Sequence, residues 1–179
     1  MSRRRRILLA AGAVAVVGAA AALYWFTPWK LFTDHHVNEA LPAVATQGTA
    51  APSVTGTSSA APQAVLLSRG QFISHEHATS GTASVIRQPD GSRVLAIAQL
   101  RTSDGPVVKV WLTDRHVTKD GWHVFDDGKY VNLGGLKGNV GNQVYPIPAG
   151  ADLSGLHSVT IWCDRFDVSF GAAELVPVT

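Results

Sequence analysis

Cys163 is the only cysteine in the 179 residues, and it sits in Ile161-Trp162-Cys163-Asp164-Arg165-Phe166. A lone cysteine cannot close an internal disulfide. It is a small hydrophobe in a core, a ligand, a partner in an intermolecular bond, or a free thiol for redox chemistry. Burial on an apolar face raises its pKa and quiets it, unless a cation or metal lies close. Arg165 is a candidate neighbour along the chain, and His77 is one across the fold. The second constellation is His75-Glu76-His77. On a strand the two imidazoles point the same way, and such a pair can chelate a metal. No third ligand accompanies them, so polar side chains facing outward from a strand edge explain His75 as well. Asp126 and Asp127 are adjacent carboxylates, but neighbours on a strand point apart, which leaves a hydrolase a distant reading.

Several chemistries are excluded by count and spacing. A covalent c-type haem needs Cys-x-x-Cys-His, and a structural zinc site of several cysteines needs more than one. Blue copper usually adds an axial methionine, but the only methionine is Met1 and no histidine follows Cys163. There is no Gly-x-Ser-x-Gly elbow and no phosphate loop. Gly134-Gly135-Leu136-Lys137-Gly138 lacks the Walker spacing and reads as a loop.

The elements that must position these residues begin with Arg3 to Arg6, followed by an uncharged run from Ile7 to Phe26. About 20 apolar residues suffice for a helix to cross a bilayer. Tyr24, Trp25, Phe26 and Trp29 cluster at the outer end, where amphipathic aromatics sit at the interface, and the arginines belong on the cytoplasmic side. The expectation is a cell-membrane, single-pass protein whose C-terminal domain is extracytoplasmic, with a cleaved signal peptide as the alternative. The four arginines exceed the net charge of +2, so the remainder carries no basic surface for nucleic acid.

Three segments follow: residues 1–29 as cytoplasmic arginines and anchor, 30–65 as a flexible Ala/Pro/Thr-rich stalk, and 66–179 as the folded domain. The stalk composition buries too little apolar surface to offset chain entropy, which predicts disorder. The domain reads as all-β, a β-sandwich or jelly-roll-like unit of short strands separated by Gly, Pro, Asn and Asp turns. Strands are predicted at 82–87, 92–100, 107–113, 130–133, 143–148, 158–163, 166–170 and 173–178. Val159, Ile161 and Cys163 share a face; Phe166, Val168 and Phe170 share one in the opposite phase. A bulge or tight turn at Asp164-Arg165 would return both sets to the core.

Ordered along this domain are Gly70-x-Phe72, His77-x-x-Ser80-Gly81-Thr82, Gly105-Pro106 with Val110-Trp111-Leu112, and Leu133-Gly134-x-Leu136-Lys137-Gly138-x-x-Gly141-x-Gln143-x-Tyr145-x-Ile147-Pro148. Val159-x-Ile161-Trp162-Cys163-x-x-Phe166-x-Val168-x-Phe170-Gly171-x-Ala173-x-Leu175 closes the series. This pattern resembles the DM-thirteen domain family over nearly all of the segment from Leu66. The resemblance implies a β-rich extracytoplasmic module in electron transfer. It places Cys163 at the family's single cysteine, a bare thiol or a ligand to a prosthetic group such as haem, and His77 at its histidine.

Two expectations result. In the first, the chain is an electron carrier rather than a catalyst. Cys163 is its redox thiol or cofactor ligand, His77 a second ligand or base, and Trp111 and Trp162 are candidate walls. Haem is the candidate cofactor, and an unidentified redox protein is the partner. In the second, the domain is a non-redox cell-surface binding or scaffold module, with Cys163 in the core and the 133–141 loop as its contact surface.

Overall fold

A computed structural model describes residues 3–44 and 63–178; the middle of the expected stalk, 45–62, lies outside them. Helix α1 runs Arg3–Phe26 and ends before a 3-10 turn, Pro28–Phe32. It is long and apolar enough to cross a membrane, a criterion that a signal sequence also meets, and its apolar window is unburied by the rest of the chain. Ten strands follow: β1 His36–Asn38, β2 Val65–Ser74, β3 Ser80–Arg87, β4 Arg93–Arg101, β5 Val108–Thr113, β6 Tyr130–Gly135, β7 Val140–Ile147, β8 Ser158–Cys163, β9 Val168–Glu174 and β10 Val176–Pro177.

They form one curled sheet in the order β1-β7-β4-β3-β2-β9-β8-β5-β6, with β10 on β2. All pairings are antiparallel except β1 on β7. The sheet curls around the main core that its inner face encloses. Leu95 and Ile97 of β4 and Tyr145 of β7 share a core with Val110, Leu112, Val159, Ile161 and Cys163 from the far half. The all-β, sandwich-like expectation holds.

Strand β8 is buried at all six positions, so both of its faces are covered. Val159, Ile161 and Cys163 face the main core, and Trp162 packs with Trp111, Phe125 and Ala172 in a second layer. The β5–β6 connection supplies Phe125 to this back layer. The tight turn expected at Asp164-Arg165 is present and spans Asp164–Asp167; a separate register shift, not expected, lies between Ile161 and Trp162. Asp167 carries that turn in the left-handed region at φ 49°. The turn returns Val168 and Phe170 to the core but not Phe166, which is 42% exposed. The prediction of Phe166 as core is thereby corrected: it belongs to the turn, where the alternation of the strand no longer applies.

Two strands, β1 and β2, lie outside the predicted set. β2 was masked by its mixed sequence Leu67-Ser68-Arg69-Gly70-Gln71, whose polar positions lie at the surface or in the β10 pairing. β1 belongs to the stretch expected as stalk, and its order comes from the domain. Glu39 accepts two hydrogen bonds from Lys137 Nζ (2.8 and 2.9 Å) and one from the Val144 backbone N–H (2.7 Å). These bonds hold the Glu39 carboxyl below its ordinary range, chiefly through Lys137.

The distinctive motif from Leu133 to Pro148 is the β6–β7 turn and its clamp. Buried Gln143 accepts from the backbone N–H of Lys137 (3.1 Å) and the hydroxyl of Tyr145 (2.6 Å), and donates to the Gly138 carbonyl (2.6 Å). Burial pushes the Tyr145 phenol up to about 12. Gly141 sits at φ +114°, and a Cβ there would run into the Val37 carbonyl. Gly141→Ala should cost about 1–3 kcal/mol of stability, measured by chemical denaturation, with loss of amide protection over residues 36–38. Gly150→Ala, where a Cβ meets nothing within 4 Å, should be close to neutral.

Candidate functional site

Cys163 ends β8, paired with Val108 of β5 and Val168 of β9. It is fully buried, and its Sγ–H donates to the Pro106 carbonyl at 3.2 Å. Pro106 belongs to the Asp104–Val107 segment that enters β5. The Asp164 N–H donates back to the Val107 carbonyl, so this segment and the β8–β9 turn are tied together beside Cys163. Burial pushes the thiol pKa up; backbone N–H donors at Arg165 and Phe166 and the Arg165 charge only partly oppose it. The Arg165 guanidinium itself reaches away, bonding the Trp25 carbonyl and lying 5.0 Å over the Trp25 ring.

Pro106 and Val168 also line a cavity of about 290 Å³. Its lining includes Phe26, Lys30, His77, Asp104, Phe166 and Phe170. His77 packs edge-on against Phe170, with centroids 4.1 Å apart. Burial lowers the His77 pKa, partly offset by Glu76, which favours the neutral ring. His77 lines the cavity together with Pro106 and Val168, to which Cys163 is linked by its Sγ–H bond and its strand pairing, and no hydrogen bond joins His77 to Cys163 among the described residues. Gly105 is required here because a Cβ would lie 2.8 Å from the Phe170 ring.

Backbone strain concentrates around this place. Among the described residues four non-glycines have positive φ: Thr27 (40°), Gln99 (52°), Val107 (55°) and Asp167 (49°). Thr27 lines the cavity, Val107 follows Pro106, and Asp167 separates Phe166 from Val168. Such conformations cost about 1–3 kcal/mol each and gather at functional sites. For β-branched Thr27 and Val107 the conformation is a genuine outlier.

The structure separates His75 from His77. β2 ends at Ser74, and the N–H groups of His75 and His77 both turn onto the Phe170 carbonyl (3.1 and 3.3 Å). The strand geometry that would align the two rings is therefore lost. His75 is buried in the back layer, stacked on Phe125 with centroids 5.7 Å apart. Its Nε2 lies 3.1 Å from the Thr118 carbonyl and its Nδ1 2.9 Å from Ser169 Oγ. A carbonyl only accepts, so Nε2 carries the proton and Nδ1 accepts from Ser169, whose oxygen accepts from Thr160 (2.8 Å). Burial lowers the His75 pKa, partly opposed by its bond to Thr118. No group of three or more His, Cys, Asp or Glu side chains is arranged to hold a metal among the described residues.

Trp111 and Trp162 stack on each other (5.2 Å), and Trp111 on Tyr130 (4.2 Å), in the back layer. They do not wall the cavity, because Trp162 alternates with Cys163 and faces the opposite side of the sheet. The residues that do, Phe166, Lys30 and Asp104, escaped sequence reasoning. Gly105-Pro106 and Phe166 were visible as motif positions, but nothing local links Lys30 to Asp104. A haem on Cys163 does not fit this arrangement. The sulfur has no exposed surface, its hydrogen is committed to Pro106, and the cavity lies at the small end of the ~300–1,000 Å³ range of ligand pockets.

The family model described as electron transfer DM13 matches residues 71–175, which include His77, Pro106, Cys163 and Phe170. The chain belongs to the DM13 electron-transfer family. No match was found among curated proteins or solved structures. The DM13 match spans β2 to Leu175, leaving Phe26 and Lys30 of the cavity outside it.

Acid should destabilise this domain. With its folded pKa lowered, each of His75 and His77 binds a proton more readily unfolded, so stability is full above the unfolded value of about 6.5 and declines as pH falls through the folded one. Thermal melts should show a falling Tm below about pH 6.5, and His75→Asn should flatten that dependence.

Proposed function

We propose that this DM13 protein is a membrane-anchored, extracytoplasmic electron-transfer module in which Cys163 works as a bare thiol. The observation that carries this reading is the strain at Val107 and Asp167, in the two segments next to Cys163: the first supplies the Pro106 carbonyl that accepts from the sulfur, and the second follows Cys163 in the chain and bonds back to Val107. Stored strain favours local opening without unfolding of the sheet. The apolar length of α1, its flanking arginines and its exposed terminal aromatics support the anchor and its orientation.

When Pro106 withdraws, the Cys163 S–H bond breaks and its proton passes to the neutral His77 ring. The sulfur then attacks one sulfur of a partner protein's disulfide. The partner S–S bond breaks, a Cys163–partner disulfide forms, and the leaving sulfur takes the proton back from His77. Two electrons have passed to the partner sulfur. A thiol of a second, reduced protein then attacks the mixed bond at the partner sulfur: a disulfide between the two proteins forms, the bond to Cys163 breaks, and the attacking thiol's proton passes to the Cys163 sulfur, so the two electrons come from that second protein.

Full-length protein incubated with glutathione disulfide should take up one glutathione at Cys163, released by a dithiol reductant. Cys163→Ser should take up none. It should retain the native circular dichroism and lose about 1–3 kcal/mol, the cost of burying a hydroxyl where the thiol stood. A cysteine that remains unmodified until the sheet unfolds would support the scaffold reading instead.

A further inference from the structure

Three aromatic rings cross the back face of the sheet in a line, and the thiol–disulfide chemistry uses none of them. Trp111 of β5 lies between Lys109, the register partner of Trp162 in β8, and Thr113, the register partner of Tyr130 in β6. Residues 109, 111 and 113 share one face of the strand, so Trp162 and Tyr130 are both diagonal neighbours of Trp111, within reach of aromatic side chains. Trp162 stacks on Trp111 with centroids 5.2 Å apart at 25°, and Trp111 on Tyr130 at 4.2 Å and 10°. The line begins in the interior, where Trp162 is 1% and Trp111 5% exposed. It ends on β6, the last strand of the sheet, where Tyr130 is 46% exposed.

Packing alone leaves one feature of this line unexplained. The Trp111 Nε1–H is buried and meets no acceptor among the described residues. A buried donor without a partner is costly, and a phenylalanine would fill the stack without that cost. An indole that loses an electron becomes a much stronger acid. Where water or a base adjoins Nε1, the proton leaves and the ring is trapped as a neutral radical. Trp111 lacks that exit, so its radical cation keeps the proton, stays strongly oxidising and draws an electron from the next ring. Tyr130 is exposed, and water can take its phenolic proton as the phenoxyl radical forms. The other tyrosine of the domain, Tyr145, lies in the main core with its hydroxyl committed to Gln143.

We propose that Trp162, Trp111 and Tyr130 form a one-electron relay that carries oxidising equivalents from beside Cys163 to the surface. Trp162 is joined to Cys163 by a peptide bond. When an oxyl radical takes the S–H hydrogen atom, a thiyl radical is left on Cys163. It takes one electron from Trp162 and one proton from water, and the thiol is restored. Trp162 takes an electron from Trp111, and Trp111 takes one from Tyr130, whose phenolic proton passes to water. One electron has moved from phenol to sulfur, with one proton taken up and one released. The phenoxyl radical then stands where a soluble one-electron reductant, such as an enediol, can reach it. The thiyl starting point rests on the opening of Cys163 in the reading above; the relay from Trp162 to Tyr130 does not.

The test uses the full-length protein in detergent micelles, with a ruthenium polypyridyl complex coupled at Lys109→azidophenylalanine, opposite Trp162 on the adjacent strand. A flash, with a cobalt(III) ammine as sacrificial electron acceptor, leaves ruthenium(III), which takes one electron from the neighbouring indole. The tryptophan-radical absorption should then decay as a tyrosyl-radical absorption rises, at one rate that does not depend on protein concentration. Tyr130→Phe should abolish the tyrosyl signal and leave the tryptophan radical long-lived. Trp111→Phe keeps a ring in the stack but one that ruthenium(III) cannot oxidise, and it should abolish the tyrosyl rise as well. An undiminished rise in Trp111→Phe would overturn the proposal, because the electron would then bypass the stack. A tyrosyl radical that survives Tyr130→Phe would overturn it too, as would none in the labelled protein with all three rings. In Cys163→Ser the conversion should persist, so failure of the thiol chemistry and failure of the relay remain distinguishable.

Discussion

The sulfur of Cys163 has one polar acceptor, the Pro106 carbonyl 3.2 Å away, and otherwise meets the apolar core. A thiol is a weak donor, and burial already raises its pKa, so this contact keeps the proton on sulfur. The same proline forms part of the cavity wall. Core, thiol and cavity are therefore coupled through a single carbonyl, and any motion of the Asp104–Val107 segment is felt on both sides. Gly105 permits that segment to lie flat on Phe170, and left-handed Val107 turns it into β5.

The far side of β8 and β9 is built for the opposite purpose. His75, Ser169 and Thr160 form a buried chain in which each proton position is fixed by the Thr118 carbonyl at its end. Trp111, Trp162 and Phe125 fill the space around it. Satisfied buried networks rigidify their surroundings. The two strands are thus held firmly on one face, while strained connections border the end of β8 that carries Cys163. The proposed opening of a segment without loss of the sheet rests on that asymmetry.

Much of this was legible in the sequence because alternation is a local signal. The strands around Cys163, the turn after it and the all-β class follow from period-two apolar positions and turn residues. The 82–87 and 158–163 strands, for example, lie within or match β3 and β8. The order of β1 was not legible, because it depends on Lys137 and Val144, 98 and 105 residues along the chain, reaching Glu39. His75 and His77 look like a pair in the sequence, and only the turn onto Phe170 separates them. The cavity was hidden for the same reason: Lys30, His77, Asp104 and Phe166 come from four distant segments, and no spacing rule joins them.

The most direct test of the account is the rate at which a small alkylating reagent modifies Cys163 in the full-length protein as urea is raised from zero. Opening of the Asp104–Val107 and Asp164–Asp167 segments exposes little surface. The account therefore predicts a measurable rate in the native protein that is nearly independent of urea until the global transition. A rate that rises with the full urea dependence of global unfolding from the start would show that Cys163 is reached only through the unfolded chain, and would contradict a redox role for the thiol.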